Sequence, residues 1–584
     1  MEAAKNGPKV PAINARRAPK SRGGCLRCKA KRASLDGSKQ NEEAHVNDQP
    51  TLSSEEAEVR TATTPSSHSS PVMTSSRRGS GTFTDSLSAI RQQLHRSTVP
   101  EFLLHLPTML VEYYFNYVCQ IFSSFDGALN PFRATVGKLW DGSAPIYYAI
   151  QSMAAAYLAN HFPRMSPVGV QMQRETYRSL YQIPQGGRDN FENLDKTLLT
   201  VLLVGQTTVW HNPGDLGLVH LKSAKRLNRR RLEQQGDQIE TRARRQNEFF
   251  EQCILYWDML AGFVEDDIDE IDFEELQTPG STSSVGEAGP SNEERAKVFP
   301  HPWTGVAPKV QRLFAQVGRL IRSYRRAATT NSTSTLDFLS LDVGFDMNFP
   351  RDPIAMTDAV LRAQLLEEKL LSFRPPLNSS LVDAGDENTP VQQYIVLAEA
   401  YRCAALLEIY RVFPSILLQR VPLNNNTFPQ SSSDPNSSQN IFDFLSIPSS
   451  QSPDDFIISL AMHTISLLGK LPPSSGTRCL QPIVVIVAGS ELKFASASTS
   501  DPLSAFASTA SSSIFNSITN REVDIASARQ FVVTRLQEFQ LSLPAKPIVK
   551  ALQLIQETWA RADLGQEVFW MDVMEEMGWQ SIFG

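Results

Sequence analysis

Beyond about residue 99, apolar positions recur at three- and four-residue steps. Nowhere do they settle into the two-residue alternation of a half-buried strand. The densest stretch is Val391 to Phe413, VQQYIVLAEAYRCAALLEIYRVF. Tyr394, Ile395, Leu397, Ala398, Tyr401, Ala404, Ala405, Leu407, Ile409, Tyr410 and Val412 cover most of a helix surface, leaving Gln392, Glu399, Arg402, Glu408 and Arg411 for the rest. This pattern predicts a central strut buried on several sides. It should stop near Phe413, because Pro414 has no N–H for the ladder and drives its predecessor out of helical geometry.

The same period predicts helices over Pro107 to Phe122, Ile146 to His161, Leu194 to Trp210, Leu218 to Leu227 and Asn247 to Val264. It continues over Asp358 to Phe373, Phe456 to Lys470, Arg478 to Lys493, Val523 to Phe539, Ile548 to Arg561 and Glu567 to Trp579. Pro308 to Arg326 is strongly two-faced, with Val310, Leu313, Phe314, Val317, Leu320, Ile321 and Tyr324 opposite Lys309, Arg312, Arg319, Arg322, Arg325 and Arg326. The predicted fold class is all-α, one large multi-helical domain over residues 99–584. Polar insertions without regular structure are expected near 270–298, 424–454 and 495–520, where Gly, Ser, Pro and Asn replace the apolar period.

Charge changes the picture at the N-terminus. The 584 residues carry a formal net charge of -6, yet Lys5, Lys9, Arg16, Arg17, Lys20, Arg22, Arg27, Lys29, Lys31 and Arg32 face only Glu2 in the first 32 positions. A basic segment over 1–35 with an acidic remainder predicts contact with nucleic acid or importin at that end alone. Residues 36–98 are Ser/Thr-rich and too poor in apolar side chains to offset the entropy of ordering them, so they read as a disordered linker. Within it, Arg77-Arg78-Gly79-Ser80 would suit a basic-directed kinase. Glu265 to Glu275 is an acidic run read as a solubilising loop. Lys225, Arg226, Arg229, Arg230, Arg231, Arg242, Arg244 and Arg245 form a second basic run, read as a solvated helical face with nuclear import as the alternative.

Six cysteines in a chain of this length do not describe a disulfide framework, and Cys119, Cys253 and Cys403 fall inside apolar helical patterns, as free thiols packing like small hydrophobes. The N-terminus lacks the apolar core of a signal peptide. The longest apolar run, near Ile483 to Ala488, is far short of the roughly 18 residues of a spanning helix. The expectation is a soluble intracellular protein without a membrane partner. No nucleophile elbow, phosphate-binding Gly loop or HExxH pair is present, so no enzyme activity is expected. His211, His220, His301 and His463, within or beside helices, are read as structural.

One local chemical signal remains, SRGGCLRCKAKRASLDG at residues 21–37. Two thiolates separated by two residues can bite one zinc ion from a single turn of chain, and the cations after them lower their pKa and reach phosphates. The segment resembles the opening of the fungal binuclear zinc cluster, the Zn2Cys6 DNA-binding module, in which a third cysteine follows after six residues and a similar second half completes the set. The resemblance implies that Cys25 and Cys28 are zinc ligands and that Lys29, Lys31 and Arg32 contact DNA from a short major-groove helix. It breaks at Leu35, which stands in place of the third cysteine, and no further cysteine occurs before Cys119. Asp36, His45 and Asp48 are the available substitutes, at arbitrary spacing. Two ligands do not make a tetrahedral site, so the zinc set is incomplete.

The helical region resembles the regulatory domain of fungal-specific transcription factors that accompanies such modules. The resemblance is carried by LVEYYFNYVCQIFSSFDGALNPFR from Leu110, IYYAIQSMAAAYLAN from Ile146, VLLVGQTTVWHNPGDLGLVHLKSA from Val201, HPWTGV from His301, AEAYRCAALLEIYRVFP from Ala398, LPPSSGTRCLQPIVVIVAGSEL from Leu471, and the closing FWMDVMEEMGWQSIFG. RAPKSRGGCLRCKAKR beside this domain is similar to the acriflavine sensitivity control type of regulator. The resemblance implies a nuclear regulator whose helical domain modulates transcription in response to a metabolite or partner, working as a homo- or heterodimer with related regulators. With the cluster broken, DNA binding is expected to be impaired or partner-dependent. The alternative is an interaction protein that no longer binds DNA and pairs with intact relatives. A helical enzyme without a recognisable motif ranks below both.

Overall fold

The computed structural model describes residues 105–182, 191–235, 241–265, 297–338, 353–420, 452–494 and 512–583, all within the second of the chain's two units, Gly81–Gly584. Cys25, Cys28, Lys29, Lys31, Arg32, Ser80, the 36–98 linker and most of the three expected insertions lie outside these residues.

In chain order the main helices are α1 Leu106–Tyr113, α2 Ala144–Leu158, α3 Ser166–Tyr181, α4 Phe191–Gln206, α5 Leu218–Gln235, α6 Thr241–Ala261, α7 Pro308–Phe338 and α8 Pro353–Ser372. They continue as α9 Val391–Val412, α10 Pro414–Arg420, α11 Pro453–Gly469, α12 Pro482–Ser490, α13 Ser512–Ser542, α14 Ala545–Asp563 and α15 Trp570–Glu576. Among the described residues the only β pairing is two isolated bridges, Val298 with Leu381 and His301 with Gly305, so the expected all-α class holds.

α9 is the predicted strut. It is surrounded by α7, α8, α10, α11 and α12, and Leu397, Tyr401, Ala404, Leu407 and Tyr410 are all buried. It ends at Phe413, whose φ of -122° and ψ of 68° leave helical geometry just before Pro414. Pro414 then opens α10 at the first helical position, where its missing N–H costs nothing. The polar stripe of α9 departs from the expectation. Glu408 is 0% exposed and Arg402 is buried, because the helix is enclosed from Ala400 to Tyr410 and those positions turn toward other helices instead of water. Buried polar groups in such a place must be paired. Arg402 is held by Glu399, and Glu408 accepts from the Trp570 indole at 2.6 Å.

Three tyrosines of α9 and α6 tie the core to backbone carbonyls of one non-helical turn and its neighbour. Tyr401 donates to the Leu480 carbonyl at 2.7 Å, Tyr256 to the Cys479 carbonyl at 3.2 Å and Tyr394 to the Ser124 carbonyl at 3.0 Å. The segment predicted as one helix from Arg478 to Lys493 is therefore a 3-10 turn, Gly476–Leu480, followed by α12. Pro482 explains the break: it cannot donate to the ladder but serves as the first residue of a new helix.

Other differences have similar local causes. The predicted Pro107 to Phe122 helix contains a π turn, Tyr114–Val118, before a short α-helical end, Cys119–Ile121. α3 was not expected, because only Val168, Gly169, Met172 and Thr176 of its polar sequence are buried, a stripe too weak to stand out. α13 begins at Ser512, so the end of the expected 495–520 insertion is helical. α11 begins at Pro453 under a capping box of Ser452 and Asp455, inside the expected 424–454 insertion.

Candidate functional site

The described cysteines decide what the zinc ligands could be. Cys119, Cys253, Cys403 and Cys479 are all free and buried in the helical core, where burial pushes each thiol up, Cys119 and Cys479 to about 12. A thiol held protonated in an apolar core is a poor zinc ligand, so none of these four is placed as a thiolate donor. Among the described residues no group of three or more His, Cys, Asp or Glu side chains is placed to hold a metal.

His301 and His211 act as structural pins. His301 accepts the N–H groups of Trp303 and Thr304 at Nδ1, 3.1 and 3.2 Å away, so Nε2 carries the proton and faces the Phe249 carbonyl at 3.1 Å. Burial, opposed by that carbonyl, pushes its pKa down to about 3. His211 Nε2 lies 2.9 Å from Ser152 Oγ, a spacing that suggests a nucleophile and its base. The Ser152 hydroxyl, however, donates to the Gly169 carbonyl at 3.0 Å, so the imidazole is the donor and no proton is available for abstraction.

The basic run that sequence reasoning treated as a solvated face is split by the fold. Arg226, Arg229, Arg230, Arg244 and Arg245 are exposed, but Arg231 is fully buried, bonded to Asp195 and Asn247 with its guanidinium 5.0 Å from the Phe250 ring centre. α4 and α6 close over that side of α5 and supply the partners.

On its other side α5 opens onto a groove shared with α6 and α7, with a cavity volume of about 330 Å³. Each helix contributes residues at helical spacing: Lys225, Asn228, Arg229 and Leu232 from α5; Glu251, Ile254, Leu255 and Asp258 from α6; Arg312, Ala315 and Arg319 from α7. Residues three, four and seven apart share one helix face, so the groove follows from three stripes meeting. Asp258 holds Lys225 at 2.7 Å and Arg319 at 2.6 Å across the floor. Burial raises the Asp258 carboxyl, but Arg319 and then Lys225 outweigh it and hold the group below its ordinary value.

A second polar cluster fastens the C-terminal helix. Glu408 of α9 accepts from Trp570 of α15, with Arg411 at 3.9 Å, and Arg411 reaches Glu491 at 2.6 Å. The guanidinium groups of Arg325 and Arg411 lie 4.3 and 4.2 Å from the centre of the Phe569 ring, and Arg325 and Arg326 pair with Asp572 and Glu575 of α15. Burial pushes the Glu408 carboxyl up to about 6 despite Arg411 and the indole.

A three-helix groove, buried ionic fasteners and an enclosed central helix make this a large helical scaffold domain. The chain belongs to the family of the fungal-specific transcription factor domain, which matches residues 109–584. No curated protein and no solved structure matches it. The family is a regulatory domain of transcription factors and not an enzyme class, and its role implies the nucleus. Among the described residues no helix is long and apolar enough to cross a membrane.

Sequence reasoning missed the groove, though part of the signal was present. Both cationic stripes were visible, but their convergence depends on the packing of α5, α6 and α7, which no local pattern encodes.

Proposed function

We propose that this chain is a nuclear transcription regulator of Zn2Cys6 lineage, of the acriflavine sensitivity control type. Its helical domain modulates transcription, and its own DNA recognition is impaired or supplied by a related partner. The observation that carries this reading is the match of the fungal-specific transcription factor domain to residues 109–584, behind a basic N-terminal segment that retains Cys25 and Cys28. Lys29, Lys31 and Arg32 remain to neutralise phosphates. Reading base edges needs those side chains fixed in register, and a two-thiolate set leaves them without a metal-built frame.

The test uses the full chain. It should bind DNA weakly and without sequence preference, with an affinity that falls steeply as salt rises, and it should retain fewer than two zinc ions per chain on metal analysis. Addition of an intact relative should restore protection of a defined site. Two tightly held zinc ions and footprinting of a specific site by the chain alone, at physiological salt, would overturn the impaired-recognition reading.

A further inference from the structure

We propose that the groove between α1, the π turn that follows it and the start of α2 binds a small alkylated ammonium ion. The proposal rests on the regulatory reading for the role of the site, as an effector site of the helical domain, and on the groove alone for the binding itself.

Three aromatic rings meet in this groove. Phe115, Trp140 and Tyr147 border a cavity of about 440 Å³, the size of a small-molecule site, and each is only partly buried. The Trp140 ring centre lies 6.4 Å from that of Phe115 and 6.1 Å from that of Tyr147. They form one aromatic surface although the π turn, the end of a short helix and α2 each supply one ring. Ring faces are electron-rich and attract a cation that comes within about 6 Å of the centre.

Charge sets the same sign. Glu112 is the one charged residue lining the groove, with no lysine, arginine or histidine beside it. It is exposed, and its carboxylate makes no ion pair or hydrogen bond among the described residues. Glu112 stands three and four residues before Phe115 and Asn116, so helical spacing turns the carboxylate, a ring and a neutral amide to one face. A metal ion would need more donors, and among the described residues no group of three or more His, Cys, Asp or Glu side chains is placed to hold one. Alkyl groups on the nitrogen give the rings apolar surface to cover and remove N–H donors that a single carboxylate could not satisfy.

The backbone supplies an independent observation. The Cys119 N–H passes over the Phe115 carbonyl to reach that of Tyr114, which makes Tyr114–Val118 a π turn. Arg133 at 2.6 Å and the Cys119 thiol at 3.3 Å take the carbonyl left over. Such turns are rare, shift side chains out of the α-helical register, and are frequent at functional sites. Phe115 and Asn116 lie inside this one, and both line the groove.

Choline is the probe for isothermal titration into the full chain at fixed ionic strength, with its uncharged carbon analogue dimethylbutanol and ammonium chloride as controls. Choline should bind saturably at one site, and Glu112→Gln and Phe115→Leu should each weaken it by about fivefold or more. Glu112 is exposed, so circular dichroism should show unchanged helicity for Glu112→Gln, which decides the test alone if Phe115→Leu loses structure. Glu567→Gln, outside the groove, should bind as the unmodified chain does. Absence of saturable choline binding would overturn the proposal, as would binding indifferent to either groove substitution in a folded variant. Equal binding of dimethylbutanol would remove charge from the recognition, and equal binding of ammonium would show a general cation effect only; either result also sinks it. The titration reads neither DNA binding nor transcription, so its failure leaves the regulator reading standing and is distinguishable from failure of that reading.

Discussion

Leu407 lies at the middle of α9 and is 0% exposed, packed in the continuous core between the helices that surround the strut. Leu407→Ala removes three buried carbons. At about 0.8 kcal/mol for each, the lost transfer energy is roughly 2.5 kcal/mol. A close-packed site relaxes only partly into the space left behind, and the cavity adds to this, giving about 3–5 kcal/mol in total. Domains as a rule hold only about 5–15 kcal/mol in reserve, so the variant should fold with a clearly lowered urea midpoint and an unchanged slope. Leu407→Asp places a carboxylate in this apolar core, at a cost of several kcal/mol more, and should leave the chain insoluble. Urea titration followed by circular dichroism of the full chain reads both. A loss below about 1 kcal/mol for the alanine variant, or a soluble and fully helical aspartate variant, would show that this face of α9 is not enclosed.

Glu408 makes stability depend on pH. Its folded pKa, about 6, is raised above the ordinary 4.5, so the folded state binds this proton more tightly and the chain loses stability from this group as pH rises through that window. Glu408→Gln keeps an acceptor for the Trp570 indole and removes the titration. It should be more stable than the unmodified chain at pH 7, by on the order of 1–2 kcal/mol, and about equal to it at pH 4; denaturation at the two pH values checks this, and an equal advantage at both would refute it. Gly476→Ala tests the turn that anchors the tyrosines. A Cβ there would lie 2.8 Å from both the Ser124 carbonyl carbon and Thr389 Oγ1, so backbone must shift, and a thermal melt should show a loss of about 1–3 kcal/mol. An unchanged melting temperature would show that the contact yields freely.

Period and punctuation in the sequence determined the all-α class, the enclosed strut and its end at Pro414, since burial of a helix all round needs apolar residues all round and proline stops a ladder wherever it stands. The same local rules placed Cys119, Cys253 and Cys403 in the core. Which polar residues are buried was decided only by tertiary structure. Glu408 and Arg231 look like solvent-facing residues along the chain, and each is enclosed because a helix distant in sequence, α15 or α4, brings the partner that makes burial tolerable. Asn228, Arg312 and Asp258 likewise belong to separate helical stripes, each ordinary by itself. They form one groove because α5, α6 and α7 pack with those faces turned together, and the charge of such a site is a sum over segments that meet only in the folded chain.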